Sequence, residues 1–127
     1  MNKYVLDASA LLGLLNAEQG SDLVQDRLPQ SIISAVNLAE VVTRLSILGM
    51  PEKAIRETMD LLALEIFAFD EKQAFEAGFL SIYTRPLGLS FGDRACLALA
   101  RSIQAVAVTA DRAWKELEIG VEIELIR

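Results

Sequence analysis

The sequence predicts an α/β fold, a three-layer α/β/α sandwich around a mainly parallel central sheet. Three observations lead there. Short strand-like runs alternate with segments of helical periodicity along the whole chain, the order that builds right-handed βαβ crossovers. The runs at Lys3–Leu6 and Ala105–Val108 are apolar rather than alternating, as strands covered on both faces are. At 127 residues and 53% apolar content, one hydrophobic core is expected and a second domain has no room, so residues 1–127 read as a single domain.

The elements follow in order. Lys3–Leu6 is the first strand, ending at Asp7, and Leu11, Leu12, Leu14 and Leu15 give the helix of the first βα unit. Gly20 and Ser21 restart the chain into a short helix with Leu23, Val24 and Leu28 on one side, which Pro29 ends. Ser31–Ser34 is the second strand. Ser34 or Asn37 caps a helix running through Leu48, where Val41, Leu45 and Leu48 recur at helical spacing and Gly49 supplies the stop. Pro51 opens a further helix to about Leu62.

Glu65–Phe69 reads as the third strand, and Asp70 with Gln73 has capping-box spacing that opens a helix to about Tyr83. Thr84–Leu89, containing Pro86 and Gly88, is a loop. Ser90 and Asp93 repeat the capping-box spacing and open a helix to Ile103, whose apolar Ala95, Leu97, Ala98 and Leu99 imply burial over much of its surface. Ala105–Val108 follows as a buried strand, Asp111–Leu117 as a short helix and Val121–Ile126 as an alternating edge strand.

Composition restricts the chemistry. Histidine is absent, which excludes His triads, His general bases and His-ligated zinc and leaves carboxylates and water. The single cysteine, Cys96, forms no disulfide within the chain and no cysteine zinc site, and its place on an apolar helix marks it as a small buried hydrophobe. A formal charge of −6 argues against general DNA coating, because Lys and Arg supply most non-specific affinity. It leaves room for a nuclease whose positive charge is local, as a bound cation and a few arginines. The apolar run Ala8–Ala17 follows an acid, is preceded by Lys3 as its basic region and is too short to span a bilayer. No membrane association is expected, and the protein reads as cytoplasmic.

Ligands of open α/β sheets bind beyond the carboxyl ends of the strands. Asp7 follows the first strand, Asp111 follows the fourth by a few residues, and Glu40 lies one to two turns into the helix after the second. Asp93 opens the helix that leads into the fourth strand, and a long loop before it allows it to reach the others. Singly, each acid has a structural explanation: Asp7 and Asp111 as N-caps, Asp93 within a capping box, Glu40 as the partner of Arg44 one turn on. Jointly they suggest a site, because carboxylates 4 Å apart repel by roughly 4 kcal/mol per pair at an effective dielectric near 20, unless protonated or bridged.

An all-oxygen donor set suits a hard cation, Mg²⁺ or Mn²⁺, and phosphodiester hydrolysis is the chemistry such an ion best serves. Asp7, Asp93 and Asp111, at turns and helix starts, are the candidates for direct ligation, with Glu40 acting through a water. Ser9 and Thr109 lie two residues after Asp7 and two before Asp111, where a hydroxyl either orients a carboxylate or simply completes a turn or cap.

Four stretches carry a family resemblance: Val5-Leu6-Asp7-Ala8-Ser9-Ala10-Leu11, Ser34-Ala35-Val36-Asn37-Leu38-Ala39-Glu40-Val41, Leu89-Ser90-Phe91-Gly92-Asp93-Arg94-Ala95-Cys96-Leu97-Ala98-Leu99-Ala100, and Val108-Thr109-Ala110-Asp111-Arg112. In this order and spacing the chain resembles PIN-domain proteins, specifically the VapC toxins of bacterial toxin–antitoxin pairs, over essentially its whole length. The resemblance implies a Mg²⁺- or Mn²⁺-dependent endoribonuclease in which Asp7, Glu40, Asp93 and Asp111 match the family's acidic cluster. It also implies a homodimer and a cognate antitoxin that wraps the toxin and covers its active site. Family members act on transfer, ribosomal or messenger RNA, and no motif in this chain selects among them.

Arg85 and Arg94 flank the loop and helix that carry Asp93 and are candidate RNA-phosphate contacts, with solvated surface as the alternative. Trp114 is expected to pack the last helix on the sheet rather than to stack on a base. Apolar residues between Val36 and Leu62 exceed what one core face needs, which points either to an oligomer or antitoxin groove or to ordinary packing. Two rival functions share the fold class: an aspartate-based, Mg²⁺-dependent phosphohydrolase, which commonly has a second Asp where Ser9 stands, and a non-catalytic RNA-binding or scaffold module. A receiver-type signalling domain fits less well, lacking the adjacent N-terminal acids.

Overall fold

Strand β1 (Tyr4–Leu6) lies at the middle of the sheet in the computed structural model, which describes residues 2–127. The order is β3 (Glu65–Phe67), β2 (Ser31–Ser34), β1, β4 (Val106–Thr109), β5 (Ile123–Leu125), and every neighbouring pair is parallel. Val5 stands opposite Ile32 on one side and Ala107 on the other. Leu6, Ile33 and Val108 face a layer built from α1 (Ala8–Leu15), α2 (Ser21–Arg27), α3 (Ala35–Ile47) and α4 (Glu52–Leu62). Val5, Ile32 and Ala107 face the opposite layer, formed by α5 (Glu71–Phe79), α7 (Phe91–Ile103) and the indole of Trp114, with the short α6 (Ser81–Thr84) between those helices in sequence. Successive side chains alternate between two covered faces, so the central strands must be apolar throughout. The expected three-layer α/β sandwich with a parallel sheet is present.

The topology positions the site. From β1 the chain builds β2 and then β3 on one side, and later returns to place β4 and β5 on the other. Strand order therefore reverses at β1, and the region beyond its carboxyl end is where doubly wound sheets take ligands. Gly20 secures the entry to α2 nearby: its φ of +94° suits only glycine without strain, and a Cβ there would overlap the Ile126 carbonyl.

Several boundaries differ from the sequence reading. Ser34, not Asn37, caps α3, its Oγ accepting from the Val36 N–H at 3.2 Å. The third strand stops at Phe67 rather than Phe69. The helix expected from Asp70 to Tyr83 breaks at Leu80: the Ala77 carbonyl, which an unbroken helix would pair with the Ser81 N–H, instead accepts from Arg94 Nη1 at 2.9 Å. Arg85–Leu87, placed in a loop, and Arg112–Glu116, placed in a short helix, are both 3₁₀ turns. The edge strand is confined to Ile123–Leu125. Trp114 is fully buried, so its ring packs the core and is not available to a base, and Cys96 is buried as expected. Among the described residues no helix is long and apolar enough to cross a membrane.

Candidate functional site

Asp7 is the first residue beyond β1. Its N–H still donates to the Val108 carbonyl at 3.0 Å, extending the β1–β4 pairing, while its extended backbone (φ −85°, ψ 176°) makes it the N-cap of α1. Oδ1 accepts from the Ala10 N–H at 2.8 Å and from Ser9 Oγ at 2.7 Å, and Oδ2 accepts from Thr109 Oγ1 at 2.6 Å. A carboxylate offers about four acceptor positions, so one direction on Oδ2 remains. Burial pushes the Asp7 pKa up to about 6 against the pull of those three donors, and the charge of Asp93 adds to the rise.

Two hydroxyls join Asp7 to the turn after β4. Thr109 Oγ1, while donating to Asp7, accepts from the Asp111 N–H at 3.0 Å, and Ser9 Oγ accepts from the Ala110 N–H at 2.9 Å. Asp111 in turn caps the 3₁₀ turn, its Oδ1 accepting from the Ala113 N–H at 3.0 Å. The hydroxyls thus do more than complete local turns: they lock the ends of β1 and β4 together. Thr109 is fully buried, and Thr109→Val, which keeps its shape, is expected to lower stability by about 1–3 kcal/mol by leaving Asp7 Oδ2 without a donor. Thr109→Ser should stay near wild type. Urea unfolding at pH 7.5 checks this, and equal stability of the Val and Ser variants would refute it.

Glu40 is set by a different device. Among the described residues it makes no ion pair with Arg44; its Oε1 accepts instead from Asn37 Nδ2 at 2.8 Å. The same amide nitrogen donates to the Gly92 carbonyl at 2.9 Å, so α3 is fastened to the first turn of α7. Asp93, next to Gly92, closes the expected capping box: Ser90 Oγ accepts from the Asp93 N–H at 3.2 Å and Asp93 Oδ2 from the Ser90 N–H at 2.8 Å. A Cβ on Gly92 would overlap the Glu40 carboxylate, so only glycine admits Glu40 so close to this turn.

All four acids therefore reach the same end of the sheet, two on the β1–β4 side and two at the α3–α7 junction. Asp7, Asp93 and Glu40 all act on the buried Cys96 thiol, whose pKa is pushed well up, first by burial and then by those three charges. In each of Glu40, Asp93 and Asp111 one oxygen holds a hydrogen bond and the other has no protein partner among the described residues. Oriented carboxylates with spare oxygens, and no sulfur or imidazole, fit a hard divalent cation. Among the described residues no three carboxylates lie close enough in this arrangement to share one ion. The capping bonds of Asp93 and Asp111 fix their carboxylates in place, so sharing one ion would require these side chains to move.

The two arginines differ. Arg94 donates to the Ala77 carbonyl and lies over the Phe91 ring, 5.7 Å from its centroid, so it is built into the α5–α7 contact. Arg85 is exposed in the turn that packs near Arg112–Glu116. Beside Glu40 an open cleft of about 590 Å³ is lined by Val36, Thr43, Arg44, Ile47 and the half-exposed Phe91. Asn37 and Gly92 are the positions that sequence reasoning passed over. The asparagine had signalled only a cap, although its place one turn before Glu40 was visible, and the glycine's role depends on a contact across 52 positions of chain.

The PIN domain family model matches residues 4–120. No curated protein matches by sequence. Among solved structures, the chain is similar to DNA-bound VapBC from Salmonella typhimurium, at 20% identity with a TM-score of 0.78 and 100% of each chain covered. It is similar to a toxin–antitoxin complex from Klebsiella pneumoniae at 17% identity, TM-score 0.75, with 98% of each chain covered. VapBC-5 from Mycobacterium tuberculosis matches at 24% identity, TM-score 0.61, over 100% of this chain and 99% of that one. At these identities the likeness is one of fold.

Proposed function

The chain belongs to the PIN-domain family, and from that premise we propose that it is a divalent-metal-dependent endoribonuclease, the toxin of a toxin–antitoxin pair. One observation carries the reading: Asp7, Glu40, Asp93 and Asp111 lie at the same end of the sheet, two on the β1–β4 side and two at the α3–α7 junction, each oriented through a hydrogen bond and each with acceptor capacity left. Asp7, Asp93 and Asp111 would hold Mg²⁺ or Mn²⁺ directly, and Glu40 would act through a water. Such an ion, when bound, supplies Lewis acidity and an activated water for phosphodiester hydrolysis.

The chain's own residues prepare the rest. Thr109 and Ser9 fix the Asp7 carboxylate and the turn that presents Asp111, and Asn37 fixes Glu40. Arg85 and the remaining N–H groups of Arg94 are donors for RNA phosphates. An aspartyl-phosphate mechanism fits less well, because the carboxylate of Asp7 is buried and accepts three hydrogen bonds, one of them from the Ser9 hydroxyl.

The structures it is similar to in fold include VapBC complexes, which supports a cognate antitoxin as partner. The groove of about 700 Å³ between α3 and α4, lined by Leu38, Val42, Ile55 and Met59, supports an apolar contact with that antitoxin. Exposed Ile47 and Leu48 at the end of α3 support a homodimer. An enzyme acting on cellular RNA would work in the cytoplasm, and that location is part of the proposal.

Purified protein incubated with total RNA and Mn²⁺ is expected to give discrete fragments, whose ends, once sequenced, identify the target. RNA left intact at micromolar protein would overturn the nuclease reading. Strong expression of the chain alone should halt growth, and co-expression of its genetic neighbour should restore it. Normal growth with abundant soluble protein would overturn the toxin role.

A further inference from the structure

Asn37 is fully buried just beyond β2, and both of its short hydrogen bonds come from one nitrogen: Nδ2 to Glu40 Oε1 at 2.8 Å and Nδ2 to the Gly92 carbonyl at 2.9 Å. Both partners are oxygens that only accept, so the amide must present its NH₂ to them, and the reversed amide would set oxygen against two oxygens. With the amide so fixed, Oδ1 is left buried with no hydrogen-bond partner among the described residues. Buried polar atoms are almost always paired, and an orphan calls for a reason beyond packing. The geometry of Gly92 supplies it. The Glu40 carboxylate rests against the Gly92 Cα, where any side chain would collide with it. Asp93 is the next residue and is held by its capping box with Ser90.

We propose that Asn37 is a positioning residue of the acidic site: its amide clamps Glu40 to the first turn of α7 and so sets the separation between the carboxylates of Glu40 and Asp93. The α3–α7 junction is then a template for the cation rather than only an interhelical contact. Without the clamp Glu40, a flexible side chain beside other anions, swings toward solvent. The proposal rests on the reading of these acids as a divalent-cation site, and it deepens that reading by naming what holds the acid borne within a helix in register with the others.

The test begins with RNA-free protein, so that its outcome is separable from that of the nuclease reading. Asn37→Leu keeps the branched shape and removes both donors. Its Mn²⁺ dissociation constant, read from the free-ion electron paramagnetic resonance signal, is expected to rise about tenfold, the scale for losing a group that orients a ligand. On a Glu40→Gln background the same substitution should have little further effect, because the two residues act as one unit; a purely structural role would give the full loss on either background. Gly92→Ala leaves Asn37 in place but drives a methyl into the Glu40 carboxylate, and should weaken Mn²⁺ binding by the same route. If RNA is cleaved, Asn37→Leu should lower kcat while KM stays within about twofold, since the clamp faces the acids and not the bound strand. Wild-type Mn²⁺ affinity in a folded Asn37→Leu or Gly92→Ala protein, or an Asn37→Leu loss undiminished beside Glu40→Gln, overturns the proposal. Failure of wild-type protein to cut RNA, with the Mn²⁺ results as expected, would overturn the nuclease reading alone.

Discussion

Asp7→Asn is expected to abolish RNA cleavage, by roughly 10⁴-fold or more in kcat, the scale for removing one member of a catalytic unit, while making the metal-free protein more stable at neutral pH. The two effects share one cause. Burial lifts the Asp7 pKa from its ordinary 3.8 to about 6. At about 1.4 kcal/mol for each tenfold change in proton affinity, that rise from 3.8 to about 6 corresponds to about 3 kcal/mol. The raised value means that the fold prefers the protonated carboxyl. That preference is fully present below pH 3.8 and is lost as the pH rises through about 6, so above pH 6 the metal-free protein carries a buried negative charge at its own expense.

Asparagine keeps an oxygen for the Ala10 N–H and Ser9 Oγ and presents an NH₂ where Thr109 now donates, which the Thr109 hydroxyl can meet by rotating to accept. Thermal unfolding in chelator should therefore show the variant several degrees above wild type at pH 7.5 and equal to it near pH 4. An Asp7→Asn protein that unfolds earlier than wild type at pH 7.5, or that still cuts RNA at the wild-type rate, contradicts this account. A carboxylate that destabilises the metal-free fold and is required by the proposed activity would be a stability–function trade-off at one residue.

The fold was legible because parallel strands covered on both faces are apolar throughout and the segments between them keep helical periodicity, as Val5, Leu6, Ala107 and Val108 illustrate. What escaped were features fixed by tertiary contacts. The break at Leu80 accompanies Arg94 taking the Ala77 carbonyl, a contact across 17 residues that no local pattern encodes. The turn after Asp111 has the cap of a helix but tightens into 3₁₀ geometry around the buried Trp114. The positions of the four acids could be read from their places after strands and at helix starts, because the carboxyl edge of a parallel sheet collects such residues. Their supports could not. Ser9 and Thr109 read equally well as turn hydroxyls until β1 and β4 are seen side by side, and Asn37 reads locally only as a cap. Its bond to Gly92 spans 55 residues and exists only when α3 and α7 meet. The reversal of strand order at β1, which marks that end of the sheet as the ligand-binding one, is likewise a property of the assembled sheet.

Chelation is expected to remove cleavage entirely, and Mn²⁺ or Mg²⁺ to restore it. The physical ground is the same concentration of charge. Asp7 is buried with Asp93 near enough to raise its pKa, and Glu40 shares the Gly92–Asp93 turn, in a chain that already carries a formal charge of −6. RNA bound at this edge would bring further negative charge, which the acids alone would repel, so on the proposed reading binding and chemistry would both require a cation there. A cation that binds only the folded protein must also stabilise it, by about 2.7 kcal/mol at one hundred times its dissociation constant. At pH 7.5 that is a shift of several degrees in Tm, larger than at pH 5, where Asp7 is mostly protonated and competes through its proton. Asp7→Asn should lose most of the shift. Ca²⁺, larger and looser in its coordination, is expected to stabilise without supporting cleavage at a comparable rate. Full cleavage in EDTA, or a Tm that ignores Mn²⁺ in the wild type, would show that the acids serve the fold as helix caps and that the chemistry lies elsewhere.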